Sequence, residues 1–147
     1  MRKRHFSLVV LLVLGGLVGC DRGVGTVEYT VLRTLPHDPE AYTQGLVFFD
    51  GALYESTGQY GRSSVRKVSP ETGEILRMTS LPEEHFGEGL ARVGSELIQL
   101  TWQSGIAYVY DLDSLTLERT LQYEGEGWGL CFDGESLFLS NGSTNLQ

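Results

Sequence analysis

The sequence predicts an all-β fold, a β-propeller built from repeated four-stranded blades, on three observations. A short segment occurs three times, with a glycine-leucine pair that leads through a turn to a second leucine, at residues 43–53, 87–97 and 127–137. The first glycines of the copies, Gly45, Gly89 and Gly129, are 44 and then 40 residues apart, which is the spacing of propeller blades. After residue 26, no stretch sustains a helical hydrophobic period with a cap and a stop.

The individual strands are predicted from short apolar or alternating runs between clusters of turn residues. These runs cover residues 27–35, 45–49, 53–56, 64–68, 74–80, 97–102, 107–112, 116–122, 130–132 and 137–140. Two hairpins in about 40 residues give four strands per repeat, the content of one blade. A β-sandwich is the alternative, because it also has short strands at regular spacing, but it does not require the sequence itself to repeat.

The length of the chain sets a limit on the ring. Residues 27–147 hold about three repeats, whereas closed propellers have at least four blades. Either the chain is the front part of a longer protein, or partial rings assemble from several copies. Unpaired blade edges and an exposed core face favour the first alternative.

The beginning of the chain resembles a bacterial lipoprotein signal peptide. Three basic residues at positions 2–4 precede an apolar run over residues 6–18, and a small residue precedes Cys20. We therefore predict a signal peptide at 1–19, a lipidated Cys20 with a tether at 20–26, and a partial propeller at 27–147. The protein would be held in the bacterial cell envelope by this lipid anchor, facing the periplasm or the exterior. The alternative is an ordinary secretory signal with an incidental Cys20.

Charge and cysteine content narrow the function classes. The formal net charge is -8, and without residues 1–19, which hold three of the eleven basic and none of the nineteen acidic residues, it is -11. An acidic domain argues against nucleic acid as a partner. Cys20 and Cys131 are the two cysteines, so a lipidated Cys20 leaves no disulfide, and Cys131 in a strand pattern is predicted to be a small buried apolar residue.

The residue just before the first glycine of each copy differs: Gln44, Glu88 and Trp128. Because the innermost strands of a propeller start at the mouth of the central channel, we expect these side chains to converge on one cavity. Glu88 lies between two glycines, and partial burial would raise its pKa into the range of a general acid or base. The alternative is that all three positions are merely tolerant loop starts.

Successive motifs of the chain resemble those of the plant- and bacterial-type glutaminyl-peptide cyclotransferases. They lie at residues 37–46, 55–58, 86–89, 99–102, 109–111 and 126–130, so the likeness extends from about residue 27 to the end of the chain. The resemblance implies a five-bladed propeller, of which this chain supplies little more than half. It also implies that N-terminal glutamine of peptides is cyclised to pyroglutamate, when the α-amine attacks the side-chain amide and ammonia leaves.

The resemblance also implies roles for particular residues. Glu88 would be the catalytic proton shuttle, Gln44 would bind the substrate, and Phe86, Trp102 and Trp128 would form aromatic walls. No redox or organic cofactor is implied. A structural calcium ion in the channel is compatible with the family, although the sequence contains no recognisable calcium loop and no spacing typical of a zinc site.

Two other functions remain open from the sequence. One is a non-catalytic envelope lipoprotein that binds peptide ends or glycans with the same aromatic rim. The other is an inactive truncated fragment, because further site residues of the family lie in later blades. For the same reason we expect little or no activity from an isolated 147-residue product.

Overall fold

The computed structural model describes residues 27–147, all in strands, turns and irregular segments. The first sheet contains β1 (Thr43–Phe49), β2 (Ala52–Thr57), β3 (Ser64–Val68) and β4 (Ile75–Ser80), and the second contains β5 (Gly87–Val93), β6 (Glu96–Thr101), β7 (Ile106–Asp111) and β8 (Leu117–Gln122). β9 (Leu130–Phe132) and β10 (Leu137–Leu139) form a hairpin. All pairings are antiparallel between strands consecutive in sequence. This is the strand order of propeller blades, and the hairpin corresponds to the inner half of a third blade.

The sequence predicted most strands to within two residues at each end. β5 is missing from the predicted runs, although the repeat implies a strand that begins near Gly89, as in the other two copies. The predicted strand at residues 27–35 is wrong, because residues 27–42 contain no strand. The alternating apolar residues there favour extended backbone, but a strand exists only when a neighbouring backbone pairs with it, and no strand within 27–147 does so. Residues 33–147 form one compact unit, which contains all ten strands.

The recurring first glycine allows neighbouring inner strands to approach closely. A Cβ atom at Gly45 would lie 2.6 Å from the backbone nitrogen of Leu90, and one at Gly89 would lie 2.6 Å from both the nitrogen of Leu130 and the oxygen of Trp128. The Gly89 N–H donates a hydrogen bond to the same Trp128 oxygen at 2.8 Å. At Gly45 and Gly89, any side chain would push the inner strands of adjacent blades apart, which explains the glycine at these two positions.

The recurring turn glycine has a different cause. Gly51, Gly94 and Gly134 have φ angles of 73°, 60° and 108°, in the region that residues with a side chain avoid. Each of them closes the hairpin between the inner strand of its repeat and the next strand. The repeat therefore preserves the two backbone requirements of a blade, a close inner contact and a tight first turn.

The core lies between blades rather than within one. One apolar cluster joins the first and second sheets, and its buried members are Ala52, Tyr54, Val65, Leu81, Leu90, Leu97, Tyr108, Tyr110, Leu112 and Leu115. A second cluster joins the second sheet to the hairpin through Ile98, Leu100, Ala107, Val109 and Leu139. Neighbouring residues of β7 thus belong to opposite clusters, as the two-residue period of a strand requires when both faces are covered.

A buried polar contact also joins the first two sheets. The side chain of Gln99 is fully buried, and its Nε2 donates hydrogen bonds to Ser56 Oγ at 2.7 Å and to the Ser64 carbonyl at 3.1 Å. The Tyr110 hydroxyl donates to Gln99 Oε1 at 3.2 Å, and burial raises the pKa of this tyrosine, which keeps it a donor. Such bonds have directional requirements that apolar contacts lack, so they help to fix how one blade sits on the next.

The side chain of Cys131 is exposed, which contradicts the prediction that it is buried. The reason is its position in β9, where it lies beside open cavities instead of the interblade clusters.

The part of the chain that the structure describes, residues 27–147, includes no helix that could span a membrane.

The close approach of the inner strands yields a stability prediction. We expect Gly89→Ala to destabilise the chain by about 2 kcal/mol more than Gly129→Ala, measured by urea unfolding, because overpacking against backbone has no cheap relaxation. At Gly129, the added Cβ would meet a single atom within 4 Å, the Ser140 Oγ at 2.9 Å, which can move. Equal losses of stability for the two variants would contradict this explanation of the repeated glycine.

Candidate active site

A cavity of about 380 Å³ lies where the inner strands begin. Its lining residues are Gln44, Glu88, Trp102, Trp128 and Gly129. Gln44 comes from β1, Glu88 from β5 and Trp128 from the segment before β9, while Trp102 directly follows β6. The structure thus brings together four of the five residues predicted to bind substrate or act in catalysis.

Two β-bulges place the polar residues at the cavity. In the β1–β2 pair, Thr43 faces Thr57 and Gly45 faces Ser56, so that Gln44 has no partner in the register. In the β5–β6 pair the register shifts between Gly87 and Leu90, and Glu88 lies within the irregularity. A bulge takes a residue out of the normal alternation of a strand and re-aims its side chain, which frees these two for the cavity.

The start of β1, and with it Gln44, is anchored by a buried carboxylate. Glu55 is 2 % exposed and accepts hydrogen bonds from Thr43 Oγ1 at 2.5 Å and from His37 Nε2 at 2.8 Å. Just before β1, Asp38 forms a salt bridge of 2.9 Å with Arg66 of β3. These contacts fix the segment that leads into the cavity to the first blade.

Phe86 lies outside the cavity wall. Its ring makes edge contacts with those of Tyr60, Trp102 and Tyr42, at centroid separations of 5.5, 5.9 and 6.2 Å. A Cβ atom at Gly58 would overlap the Phe86 ring, so a glycine leaves room for it. Phe86 therefore supports the Trp102 indole from behind and does not line the cavity itself.

Glu126 is a further residue of the site, which was not predicted from the sequence. Its Oε2 accepts hydrogen bonds from Trp102 Nε1 at 2.8 Å and from Trp128 Nε1 at 2.9 Å, and its Oε1 accepts one from Gln103 Nε2 at 3.0 Å. A signal was present in the repeat: counted by the 44- and 40-residue spacing, Glu126 stands where the earlier copies have Tyr42 and Phe86. An acidic residue in the third copy, where the first two copies have an aromatic one, indicates that this position has a different role there.

The pKa values of the two carboxyl groups of the site, Glu88 and Glu126, are shifted in opposite directions. Burial raises the pKa of Glu88 to about 7, and the negative charge of Glu126 adds to this effect. Hydrogen bonds from Gln103, Trp128 and Trp102 hold the pKa of Glu126 below its ordinary value. Glu126 therefore stays ionised, while Glu88 exists in both forms near neutral pH and can accept or donate a proton.

The predicted lipid anchor and the predicted calcium ion concern other parts of the protein than this cavity. Cys20, the signal peptide at 1–19 and the tether at 20–26 lie outside the described part of the chain. Within residues 27–147, no three His, Cys, Asp or Glu side chains are grouped so as to hold a metal ion. The structural calcium ion that the resemblance allows stays a prediction.

Comparison with known proteins gives consistent matches. The profile of the glutamine cyclotransferase family matches residues 10–147. The chain is 41 % identical over 163 residues to a glutaminyl-peptide cyclotransferase of Arabidopsis thaliana, with 99 % of this chain and 51 % of the relative covered. The crystal structure of Myxococcus xanthus glutaminyl cyclase is 40 % identical, with a TM-score of 0.72 over 80 % of this chain and 49 % of that one.

More distant structures share the fold alone. The WD40 domain of Neurospora crassa Pan2 has a TM-score of 0.55 at 13 % identity, covering 67 % of this chain and 29 % of that one. The chain spans about half the length of the two glutaminyl cyclase relatives.

The pKa of Glu88 yields a prediction for stability. In the folded state it is about 7 against an ordinary value of 4.5, so between these pH values the folded chain binds a proton that the unfolded chain has lost. Stability should therefore fall as the pH rises from about 4.5 to about 7, and then level off. Since the side chain is only partly buried, we expect this contribution to be about 1 kcal/mol after solvent screening.

Urea unfolding at pH 5 and pH 8 measures this contribution. Glu88→Gln should lose less stability than the unaltered chain between the two pH values, because the amide does not titrate. Glu74→Gln, an exposed change in the turn before β4, is the control and should keep the original dependence. An unchanged pH dependence in Glu88→Gln would show that Glu88 titrates in its ordinary range.

Proposed function

The chain belongs to the glutamine cyclotransferase family, and on that premise we propose that its cavity cyclises N-terminal glutamine of peptides to pyroglutamate with release of ammonia. The observation that carries this proposal is that Glu88 meets Gln44 and two indole walls at one cavity. Burial at this place raises the pKa of Glu88 to about 7. The matched relatives are named for this activity, one as a glutaminyl-peptide cyclotransferase and one as a glutaminyl cyclase.

The reaction needs one group that both takes and gives a proton. The α-nitrogen of the substrate forms a bond to the carbon of its own side-chain amide, and the bond from that carbon to the amide nitrogen breaks. The attacking nitrogen must lose a proton, and the departing nitrogen must gain one to leave as ammonia. Glu88 suits both transfers, because at neutral pH neither of its forms is strongly disfavoured.

The other lining residues suit the binding of a short amide side chain. Gln44 offers one amide oxygen as acceptor and two N–H donors, which can pair with the polar groups of the substrate. Trp102 and Trp128 offer flat apolar surfaces that restrict the substrate and displace water from the reacting atoms. Holding the α-amine near the amide carbon is itself a large part of such a ring closure.

The setting of the activity belongs to the proposal as well. We propose peptides or proteins that begin with glutamine as substrates, no required cofactor, and a location in the bacterial cell envelope through a lipid on Cys20. The basic start, the short apolar run and the cysteine of residues 1–20 support the anchor.

Ammonia release from a short peptide that begins with glutamine tests the function. Because the relatives are about twice as long as this chain, the absolute rate is expected to be low, and the ratio between variants is decisive. Glu88→Gln should lower the rate by about 100-fold or more, the range for loss of a general acid-base group. Glu74→Gln, outside the cavity, should keep the original rate.

Measuring the binding of the same peptide distinguishes an enzyme from a non-catalytic binding protein. Peptide binding without ammonia release in any variant would favour a non-catalytic binding protein over an enzyme. If the chain neither binds the peptide nor releases ammonia, the proposed function is contradicted for this chain. A peptide that begins with asparagine, whose side chain is one carbon shorter, serves as the matched substrate control.

A further inference from the structure

We propose that Glu126 is a positioning residue of the candidate site, which holds the indole rings of Trp102 and Trp128 in place through a single carboxylate oxygen. The kinetic part of this inference rests on the proposed function, whereas its structural part does not. Glu126 touches both aromatic walls of the cavity without lining the cavity itself.

The geometry of the hydrogen bonds is the main support. Both indole N–H groups donate to the same atom, Glu126 Oε2, at 2.8 Å from Trp102 and 2.9 Å from Trp128. The second oxygen accepts from Gln103 at 3.0 Å, which fixes the plane of the carboxylate. Trp102 belongs to the second blade and Trp128 precedes the hairpin of the third, so one side chain couples the walls supplied by two blades.

The chemistry explains why this position carries a carboxylate. An indole N–H can only donate, so two indoles at one place need an acceptor with room for two donors. A carboxylate oxygen provides it, and bonds to an ionised acceptor are stronger than neutral ones. At the equivalent position of the earlier copies, Tyr42 and Phe86 make aromatic contacts instead, and the first copy has Gly58 where the second has Trp102. The carboxylate thus occurs at the copy of this position that has two indole N–H groups beside it.

The same charge also acts on Glu88. After burial, the charge of Glu126 is the second cause that raises the pKa of Glu88. Tyr123 is the other titratable group that interacts with Glu88: burial, and to a smaller extent the Glu88 charge, raises the pKa of this tyrosine, so Tyr123 is neutral near pH 7. Glu126 is thus the ionised neighbour through which the protonation of Glu88 can be altered.

The composition of the chain makes a direct test possible. The chain has two tryptophans, Trp102 and Trp128, and both donate to Glu126. A ¹H–¹⁵N spectrum of the full chain therefore contains two indole signals, each reporting one of these bonds. We expect Glu126→Ala to shift both signals upfield and to speed their exchange with water, and Glu126→Gln to shift both by less. Glu124→Gln, an exposed change in the same loop, should shift neither.

The indole signals decide the positioning role without reference to turnover. If both stay in place in Glu126→Ala while the backbone signals of the first blade are retained, the inference is wrong. Glu126→Gln, with nearly the same shape, keeps the test valid if the alanine variant fails to fold. Unchanged indole signals in Glu126→Gln, relative to Glu124→Gln, would then overturn the inference.

The kinetic arm separates this inference from the proposed function. If the chain is active, Glu126→Gln should shift the pH midpoint assigned to Glu88 to lower pH, because a negative charge beside it is lost. An unmoved midpoint in an active variant would contradict the effect of the Glu126 charge on Glu88, whereas the positioning role is decided by the indole signals. Shifted indole signals in a chain that never releases ammonia would support the positioning role and count against the proposed function.

Discussion

The close backbone contact between inner strands is the constraint on which the rest of the structure depends. Gly45 and Gly89 leave no room for a Cβ atom, so β1, β5 and β9 lie against one another where the blades meet. The residues next to these glycines, Gln44 and Glu88, are therefore brought to the same cavity as Trp128. The interblade clusters stabilise this arrangement by burying apolar surface, but the glycines set the distance at which it occurs.

The sequence predicted what local pattern and repetition determine. Strand positions followed from alternation, and the convergence of Gln44, Glu88 and Trp128 followed from their equal place in the repeat. Contacts made across the repeat were not predictable in this way. The strand at 27–35 was wrong because pairing partners are not encoded locally, and Cys131 because burial depends on which elements cover β9. The position of Phe86 behind Trp102 likewise depends on tertiary packing.

Glu126 illustrates a second limit of reasoning from sequence. In a repeat, a position that departs from its equivalents invites attention, yet an acidic residue in a loop is most often solvated. Only the structure shows that Glu126 meets two indole N–H groups, because Trp102 lies 24 residues before it in a different blade. The site thus combines residues that the repeat places directly with one whose role depends on the distance between blades.

The two aromatic walls are held by different forces, which bears on how the cavity can move. Trp102 is packed against the ring of Phe86 and hydrogen-bonded to Glu126, so both dispersion and a charged bond restrain it. Trp128 is 47 % exposed and precedes a hairpin of two three-residue strands, which offers little apolar support. Its indole rests over Gly142, where a Cβ atom would lie 2.5 Å from the ring, and its polar end is tied to Glu126. Because packing holds Trp128 less firmly, the bond to Glu126 contributes more to the position of this wall than to that of Trp102.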